Sequence, residues 1–389
     1  MAINKEDLKV TYGMVGGGQG AFIGEVHRKS ISMDNLAQIS AGCFSRNPEN
    51  NKKTGKVLGI SPDRCYKSFE EMAEAEGKRP DKIDFVVIVT HNTTHYAAVK
   101  AFLNANIHVM CEKPLCLEIE EAEELKKLAE SKKLLFGVTY SYTGYPVVKQ
   151  IREMIKKGEI GNIRFINAEY PQGWLATLEE KTSNLQAQWR TDPDAAGKSN
   201  CTGDIGSHIE NMVSFMTGME IKRLCARLDT FGENRVLDDN ATIMIEYESG
   251  AKGVYWSSQI AVGYDNALTV RIFGDKGAIE WSQESPNNFE FVKTDKPRER
   301  WSRGRDGFYP NAQSFSRIPP GHPEGYFEAF ANIYKTYINA VLMVKAGETP
   351  GSDDLDFPDA KMGKNGVIFI NKCLESSKLG AVWVDMPKS

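Results

Sequence analysis

The chain has 389 residues, 41% of them hydrophobic, enough to bury two cores rather than one. Its 48 lysines and arginines against 52 aspartates and glutamates leave a net charge of −4, which favours neither nucleic acid nor an anionic membrane as partner. No run approaches the roughly 18 apolar residues of a spanning helix, residues 1–9 are too polar for a signal peptide, and the seven cysteines show no CxxC pair or zinc-ligand spacing. The expectation is a cytoplasmic protein with free thiols and no metal site.

Residues 10–15 read as a short apolar strand leading into a glycine cluster, and residues 36–44 as a second strand. Phe85–Val89 is a continuous apolar run of the kind buried on both faces. Tyr96, Val99, Phe102 and Leu103 mark a helical stripe, and a strand follows over 107–111. A helix over 119–132 turns Ala122, Leu125, Leu128 and Ala129 inward and pairs Glu123 with Lys127 outside. Residues 134–138 close with another strand. This alternation predicts an α/β fold with a doubly wound parallel sheet over residues 1–140.

From residue 141 the pattern changes to an α+β domain reaching residue 389. Val147, Val148, Ile151, Met154 and Ile155 mark a helix ending at Gly158. Strands follow over 163–170, 223–231, 241–248, 253–260, 268–273 and 278–281, with helices over 326–345 and 361–378. Ile243, Ile245 and Tyr247 alternate with Thr242, Met244 and Glu246, which predicts a large, mainly antiparallel open sheet with one drier face. Residues 293–323 are polar and rich in Pro, Gly and Arg, and read as a long loop, a lid hinged near Gly321 and Gly325.

Gly16, Gly18 and Gly24 follow the first strand, where glycines let backbone approach a pyrophosphate. Gln19-Gly20-Ala21-Phe22-Ile23 stand between Gly18 and Gly24, a longer spacing than GxGxxG. The second strand ends in Ser45-Arg46-Asn47 instead of a carboxylate, so it can meet a ribose hydroxyl or a 2′-phosphate, and NAD and NADP both stay open. Thr90 and Asn92 end the most apolar strand, suited to cofactor phosphate or ribose; His95, a turn on, is a ligand or a helix-start residue. Glu112-Lys113-Pro114 puts a lysine at a strand's carboxyl end, where ligands bind. In Gly203-Asp204-Ile205-Gly206-Ser207-His208, Asp204 and His208 share a helix face, as a carboxylate orienting a general base or as a cap beside a core histidine.

In this order, and with the two-domain layout, these motifs resemble the glucose–fructose oxidoreductase, inositol dehydrogenase and MocA (Gfo/Idh/MocA) family over nearly the whole chain. The resemblance implies a nicotinamide held by an N-terminal Rossmann domain, and a sugar or polyol held between it and the open sheet. Carried over residue by residue, Lys113, Asp204 and His208 become the catalytic trio, with Lys113 or His208 as formal base. Cofactor contacts fall on Gly16, Gly18, Gln19, Phe22, Ile23, Ser45, Arg46, Thr90, Asn92, His95, Glu112 and Lys113, and Trp189-Arg190 resembles a pair that reaches cofactor or substrate. Substrate contacts fall on Lys113, Tyr142, Trp174, Asp204, His208 and His322. The chain departs from the family in its long glycine turn and in His91, where a proline often precedes the asparagine. Tyr142-Thr143-Gly144-Tyr145-Pro146, Tyr170-Pro171-Gln172-Gly173-Trp174 and Gly321-His322-Pro323-Glu324-Gly325-Tyr326 are similar to a subgroup oxidising glucosides at the C3 hydroxyl. The expected function is therefore an NAD-dependent (or NADP-dependent) sugar or glycoside dehydrogenase, homo-oligomeric through its second sheet. Rival readings are a keto-sugar reductase, an aldose–aldose oxidoreductase with a tightly held cofactor, or a sugar-sensing regulator that has lost the chemistry.

Overall fold

The computed structural model describes residues 9–387; residues 1–8, over which no leader is expected, lie outside the described residues. The chain divides into two compact units, each considered by itself. The first runs up to Ser141 and takes in Phe330–Lys364, while the second comprises Tyr142–Ala329 and the residues from Asn365 onward.

The first unit alternates strand and helix: β1 (Val10–Gly16), α1 (Phe22–Ser32), β2 (Ala37–Cys43), α2 (Pro48–Val57), α3 (Phe69–Lys78), β3 (Phe85–Val89), α4 (Asn92–Asn104), β4 (His108–Cys111), α5 (Ile119–Ser131) and β5 (Phe136–Val138). The strands form one parallel sheet in the order β2-β1-β3-β4-β5. Every residue of β3 is buried, as its unbroken apolar run requires. Helix α2 carries no apolar stripe, because it buries Asn51, Thr54 and Gly55. Asn47 starts it by accepting from the Glu49 and Asn50 N–H groups, with Pro48 in the first turn.

The second unit contains α6 (Pro146–Lys156), β6 (Ile163–Pro171), α7 (Leu185–Thr191), α8 (Pro193–Ala196), α9 (Ser207–Thr217), β7 (Ile221–Asp229), β8 (Asn240–Tyr247), β9 (Lys252–Ser258), β10 (Thr269–Gly274), β11 (Gly277–Ser282), β12 (Asn288–Lys293), β13 (Glu299–Ser302) and α10 (Pro310–Gln313). Helices α11 (Tyr326–Lys345) and α12 (Ala360–Lys378) carry the chain out of this unit and back, and β14 (Trp383–Asp385) ends it. Nine strands lie in the order β13-β12-β11-β10-β6-β9-β8-β7-β14, antiparallel except for β6 beside β9. In β8, Ala241, Ile243, Ile245 and Tyr247 are buried while Thr242 and Met244 are exposed, the alternation expected of a one-sided sheet.

Two expectations change. The second domain does not run unbroken to the C-terminus, because most of α11 packs on the first unit. There Tyr337 meets Phe85 edge-on at 5.4 Å and Phe357 at 5.1 Å. The stretch 293–323 is also more than a long loop. It holds β13 and α10, and Arg303, 3% exposed, ties it down. That guanidinium pairs with buried Glu324 at 2.7 Å and donates to the Ile318 and His322 carbonyls, both at 2.7 Å. Glu324 in turn accepts from the Arg317 and Ile318 N–H groups. These bonds hold the segment together from within.

Candidate active site

Ligands of a parallel sheet bind at the carboxyl ends of its strands, where the strand order reverses. In the first unit that point lies between β1 and β3. The glycine turn there needs conformations side chains rarely adopt, with φ of +85° at Gly16 and +71° at Gly17. A side chain at Gly24 would collide with the Gly17 backbone, so α1 seats directly on the turn despite the long spacing. Gly18 N–H donates to Phe44 O at 3.1 Å, and Arg28 donates to Gly17 O at 2.7 Å. Ala21 offers α1 no side-chain cap, leaving the first-turn N–H groups at Phe22 and Ile23 for an anion. This cradle fits a dinucleotide pyrophosphate. The N–H of Gln19 is taken by Asn50 Oδ1 and Thr54 Oγ1 of α2, so a contact from Gln19 would use its exposed side chain. At the end of β2, Ser45 Oγ accepts from Asn47 N–H, and Arg46 is exposed. Thr90 is half-buried at the end of β3, and Asn92 is buried in the first turn of α4.

Lys113 is half-buried just beyond β4, its peptide bond to Pro114 cis, and the residues beside it are gripped from both sides. Glu112, expected as a cofactor contact, turns its buried carboxylate inward. Oε1 accepts from His27 Nε2 at 2.8 Å and Thr139 Oγ1 at 2.6 Å, and Oε2 accepts from Lys113 N–H at 3.1 Å. Burial alone would raise this pKa; the bond from His27 and the neighbouring His27, Lys113 and Thr139 outweigh it and hold the carboxyl at about 2. His95, also expected at the cofactor, is fully buried with Nδ1 2.8 Å from Pro114 O and Nε2 3.1 Å from Thr90 O. Burial lowers its pKa. A neutral ring donates to one of these carbonyls, which makes His95 a clamp between the ends of β3 and β4. Polar side chains beside a strand end can face the interior as well as a ligand.

In the second unit, Asp204 lies in a π-helical turn, Thr202–Gly206, in which Ser207 N–H reaches back to Thr202 O. Such turns occur often at functional sites. Buried Asp238 shapes it, accepting from Ser199 Oγ, Asn200 N–H, Thr202 N–H and Thr202 Oγ1 at 2.7 to 2.9 Å. Asp204 Oδ2 accepts from Arg190 Nε at 3.0 Å and Gln259 Nε2 at 2.9 Å. The structure thus brings Arg190 to the Asp204 carboxylate, with its guanidinium 4.3 Å from the Trp189 ring centre. His208 is buried, its ring 4.7 Å from Tyr142 and 6.2 Å from Tyr170. The two phenol oxygens lie 2.5 Å apart, and Tyr170 donates to Asn266 Oδ1 at 2.6 Å. Gln172 donates to the same oxygen at 2.7 Å, and half-buried Trp174 donates to Gln172 at 2.9 Å. Burial keeps the Tyr170 phenol protonated by raising its pKa. His322 presents an exposed side chain.

Sequence reasoning missed Gln259, Asn266, Tyr170 as a site residue, and His27. Gln172 and Tyr170 lay inside a quoted segment, but Gln259 and Asn266 reach the site by strand pairing and have no local signal. Among the described residues no cluster of three or more His, Cys, Asp or Glu could hold a metal ion, and no helix is long and apolar enough to cross a membrane.

Glu210, in the first turn of α9, is buried and pushed up to about 8 by that burial, so it is protonated at neutral pH. Its charge would bear on Tyr247, Tyr255 and Cys373. A carboxyl whose pKa is raised in the fold holds a proton that the unfolded chain has lost. Stability therefore declines as pH rises from the ordinary 4.5 towards 8. Glu210→Gln is expected to remove that decline when Tm is followed against pH. A wild-type Tm that does not fall between about pH 5 and 8 would contradict it.

Residues 10–140 match the oxidoreductase family with an NAD-binding Rossmann fold, and residues 148–280 match the GFO/IDH/MocA C-terminal domain. The Bacillus subtilis (strain 168) oxidoreductase YfiI is 37% identical over 99% of this chain and 100% of its own. Levoglucosan dehydrogenase of Pseudarthrobacter phenanthrenivorans is 27% identical over 79% of this chain and 81% of its own. An inositol dehydrogenase homolog from Azotobacter vinelandii, complexed with NAD+, superposes with a TM-score of 0.94 at 37% identity, covering 97% of this chain and 98% of that one. A homolog from the same organism with NADH and myo-inositol superposes at 0.90 and 35% identity, with the same coverage. The chain is accordingly an oxidoreductase with an NAD-binding fold, and it belongs to the GFO/IDH/MocA family.

Proposed function

We propose that the chain is a cytoplasmic NAD-dependent dehydrogenase acting on a hydroxyl of a sugar, polyol or glycoside. The observation that carries this reading is a pair of adjoining turns: Asp204, bonded to Arg190 and Gln259, lies in the π-helical turn, and the buried imidazole of His208 follows in the first turn of α9. The three segments similar to the glucoside-oxidising subgroup also converge, since the Tyr142 ring lies 6.0 Å from Tyr170 and 6.3 Å from Tyr326. That convergence supports a glucoside, oxidised at C3, as the finer reading. Relatives named for inositol and levoglucosan support a neutral polyol or anhydrosugar at the coarser level.

In this mechanism His208 accepts the hydroxyl proton, and Asp204, held by Arg190 and Gln259, keeps the imidazole oriented. Lys113 donates a hydrogen bond to the same oxygen and stabilises the charge developing there. Gly16, Gly18 and the α1 N-terminus hold the dinucleotide, which supplies the hydride acceptor when bound. Tyr142, Tyr170, Gln172 and Asn266 form a directed chain of hydrogen bonds that suits recognition of further hydroxyls. Denaturing the purified protein, identifying any released nucleotide, and screening polyols and glycosides by reduced-nicotinamide absorbance tests the reading; no sugar-dependent signal with either dinucleotide would reject it.

Cofactor preference can be tested separately. NAD is the expected cofactor, while exposed Arg46 can pair a 2′-phosphate. Arg46→Ala should therefore leave NAD affinity unchanged and weaken whatever NADP binding exists. A wild-type preference for NADP, lost in Arg46→Ala, would overturn the assignment. We also assign the outer face of the nine-stranded sheet to homo-oligomerisation. Exposed Phe165 and Phe273 stand opposite each other across β6 and β10, with Met244 exposed on β8.

A further inference from the structure

His27 lies on α1, far from Lys113 in sequence, and its side chain is fully buried. Its Nε2 is 2.8 Å from Glu112 Oε1, and its Nδ1 is 2.5 Å from Tyr334 Oη on α11. All of these residues belong to the first unit. Edge-on contacts to Phe330 at 5.0 Å and Tyr334 at 5.7 Å fix the plane of the ring. We propose that Tyr334, His27 and Glu112 form a buried positioning relay that sets Lys113 for reaction, so that residues remote from substrate govern turnover. The proposal rests on the reading of Lys113 as a group acting on the substrate hydroxyl.

Donor chemistry fixes the hydrogen between His27 and Glu112. An ionised carboxylate only accepts, so His27 Nε2 carries the hydrogen that reaches Glu112. At Nδ1 the ring meets the Tyr334 hydroxyl, which can serve as donor or acceptor there. Burial raises the Tyr334 pKa and so keeps that hydroxyl protonated. Thr139 supplies the second donor to Oε1, while Oε2 receives the Lys113 N–H, so both carboxylate oxygens are engaged. The backbone follows the side chain, because Glu112 N–H is bonded to Ile88 O and Thr139 N–H to Cys111 O.

A phenylalanine or leucine would fill the same volume without any polar group to satisfy. Three polar side chains at such burial are tolerable only when every donor has its acceptor, and then they specify one geometry. The geometry specified here is that of the Lys113 backbone. The same ring also joins α1, whose N-terminus lies at the dinucleotide cradle, to the end of β4. His95 grips the other side of the turn through Pro114. Lys113 is thus located by two buried histidines, of which only His27 is backed by an ionised carboxylate.

The test uses the full-length protein with the sugar found in the screen. His27→Leu should lower kcat by roughly 10- to 100-fold, the scale on which orienting partners act at other sites. Its KM for sugar and its Kd for NAD, read by fluorescence of the bound nucleotide, should stay within about twofold. His27→Gln should recover most of the loss, since its amide nitrogen reaches the Nε2 position and can donate to Glu112. Glu112→Gln, equal in size and without charge, should reproduce the loss. Should His27→Leu not fold, Tyr334→Phe and Glu112→Gln carry the same comparison. An unchanged kcat in the folded variants, no recovery in His27→Gln, or a Kd for NAD rising in step with the loss of kcat overturns the relay. An inactive Lys113→Met beside a fully active His27→Leu rejects the relay alone, whereas an active Lys113→Met rejects the reading of Lys113 itself.

Discussion

Lys113→Met is expected to fold and bind dinucleotide with unchanged affinity while losing turnover by about 10²- to 10⁴-fold. Methionine keeps most of the length and volume of the side chain. The grip on its neighbours, Glu112 by His27 and Thr139 and Pro114 by His95, involves none of the ammonium's bonds. The backbone should therefore stay in place while the donor to the reacting oxygen, and the positive charge beside Glu112, are removed. The glycine cradle lies on β1 and α1 and does not depend on Lys113. Measuring kcat and nucleotide Kd on the same preparation checks the expectation. Retention of more than about a tenth of wild-type kcat, well outside that range, would mean that Lys113 has no part in the chemistry.

His208→Ala should cost a similar factor in the oxidation direction, on the order of 10²- to 10⁴-fold. A general base must be unprotonated to take the hydroxyl proton, so the wild-type rate should rise with pH through one ionisation. The variant should lose that limb. Asp204 keeps its bonds to Arg190 and Gln259 when the imidazole is removed, so the turn should survive the substitution. Activity unimpaired in His208→Ala, with the same pH profile as wild type, would return His208 to a packing role beside Tyr142 and Tyr170.

What the sequence disclosed, and what it hid, follows from how far each interaction reaches along the chain. Phe85–Val89 announced a doubly buried strand because five consecutive apolar side chains leave little alternative. The alternation in β8 revealed which face of the second sheet is dry. Helix α2 stayed hidden because the side chains it buries are an asparagine, a threonine and a glycine. The return of α11 to the first unit had no local mark either, since Phe85, Tyr337 and Phe357 meet only in three dimensions. At the site, the strand-end position of Lys113 and the spacing of Asp204 and His208 were legible as motifs. The partners that decide their behaviour were not. Arg190, read as reaching cofactor or substrate, is bonded to Asp204, and the side chains of Glu112, read as a cofactor contact, and His95, read as a ligand or a helix-start residue, face inward. Polar side chains beside a ligand site look alike in one dimension whether they reach out or support from behind. The proline and glycine content around His322 likewise gave no sign of the Arg303–Glu324 pair that binds this stretch internally.

The central claim is that hydrogen leaves a carbinol carbon as hydride for the nicotinamide while the hydroxyl proton goes to the protein. Sugar deuterated at the oxidised carbon tests it most directly, with the reduced nucleotide recovered and its mass measured. One deuterium per reduced nicotinamide is expected, with a slower rate than with unlabelled sugar. Deuterium appearing in solvent water, with an unlabelled nicotinamide, would contradict it.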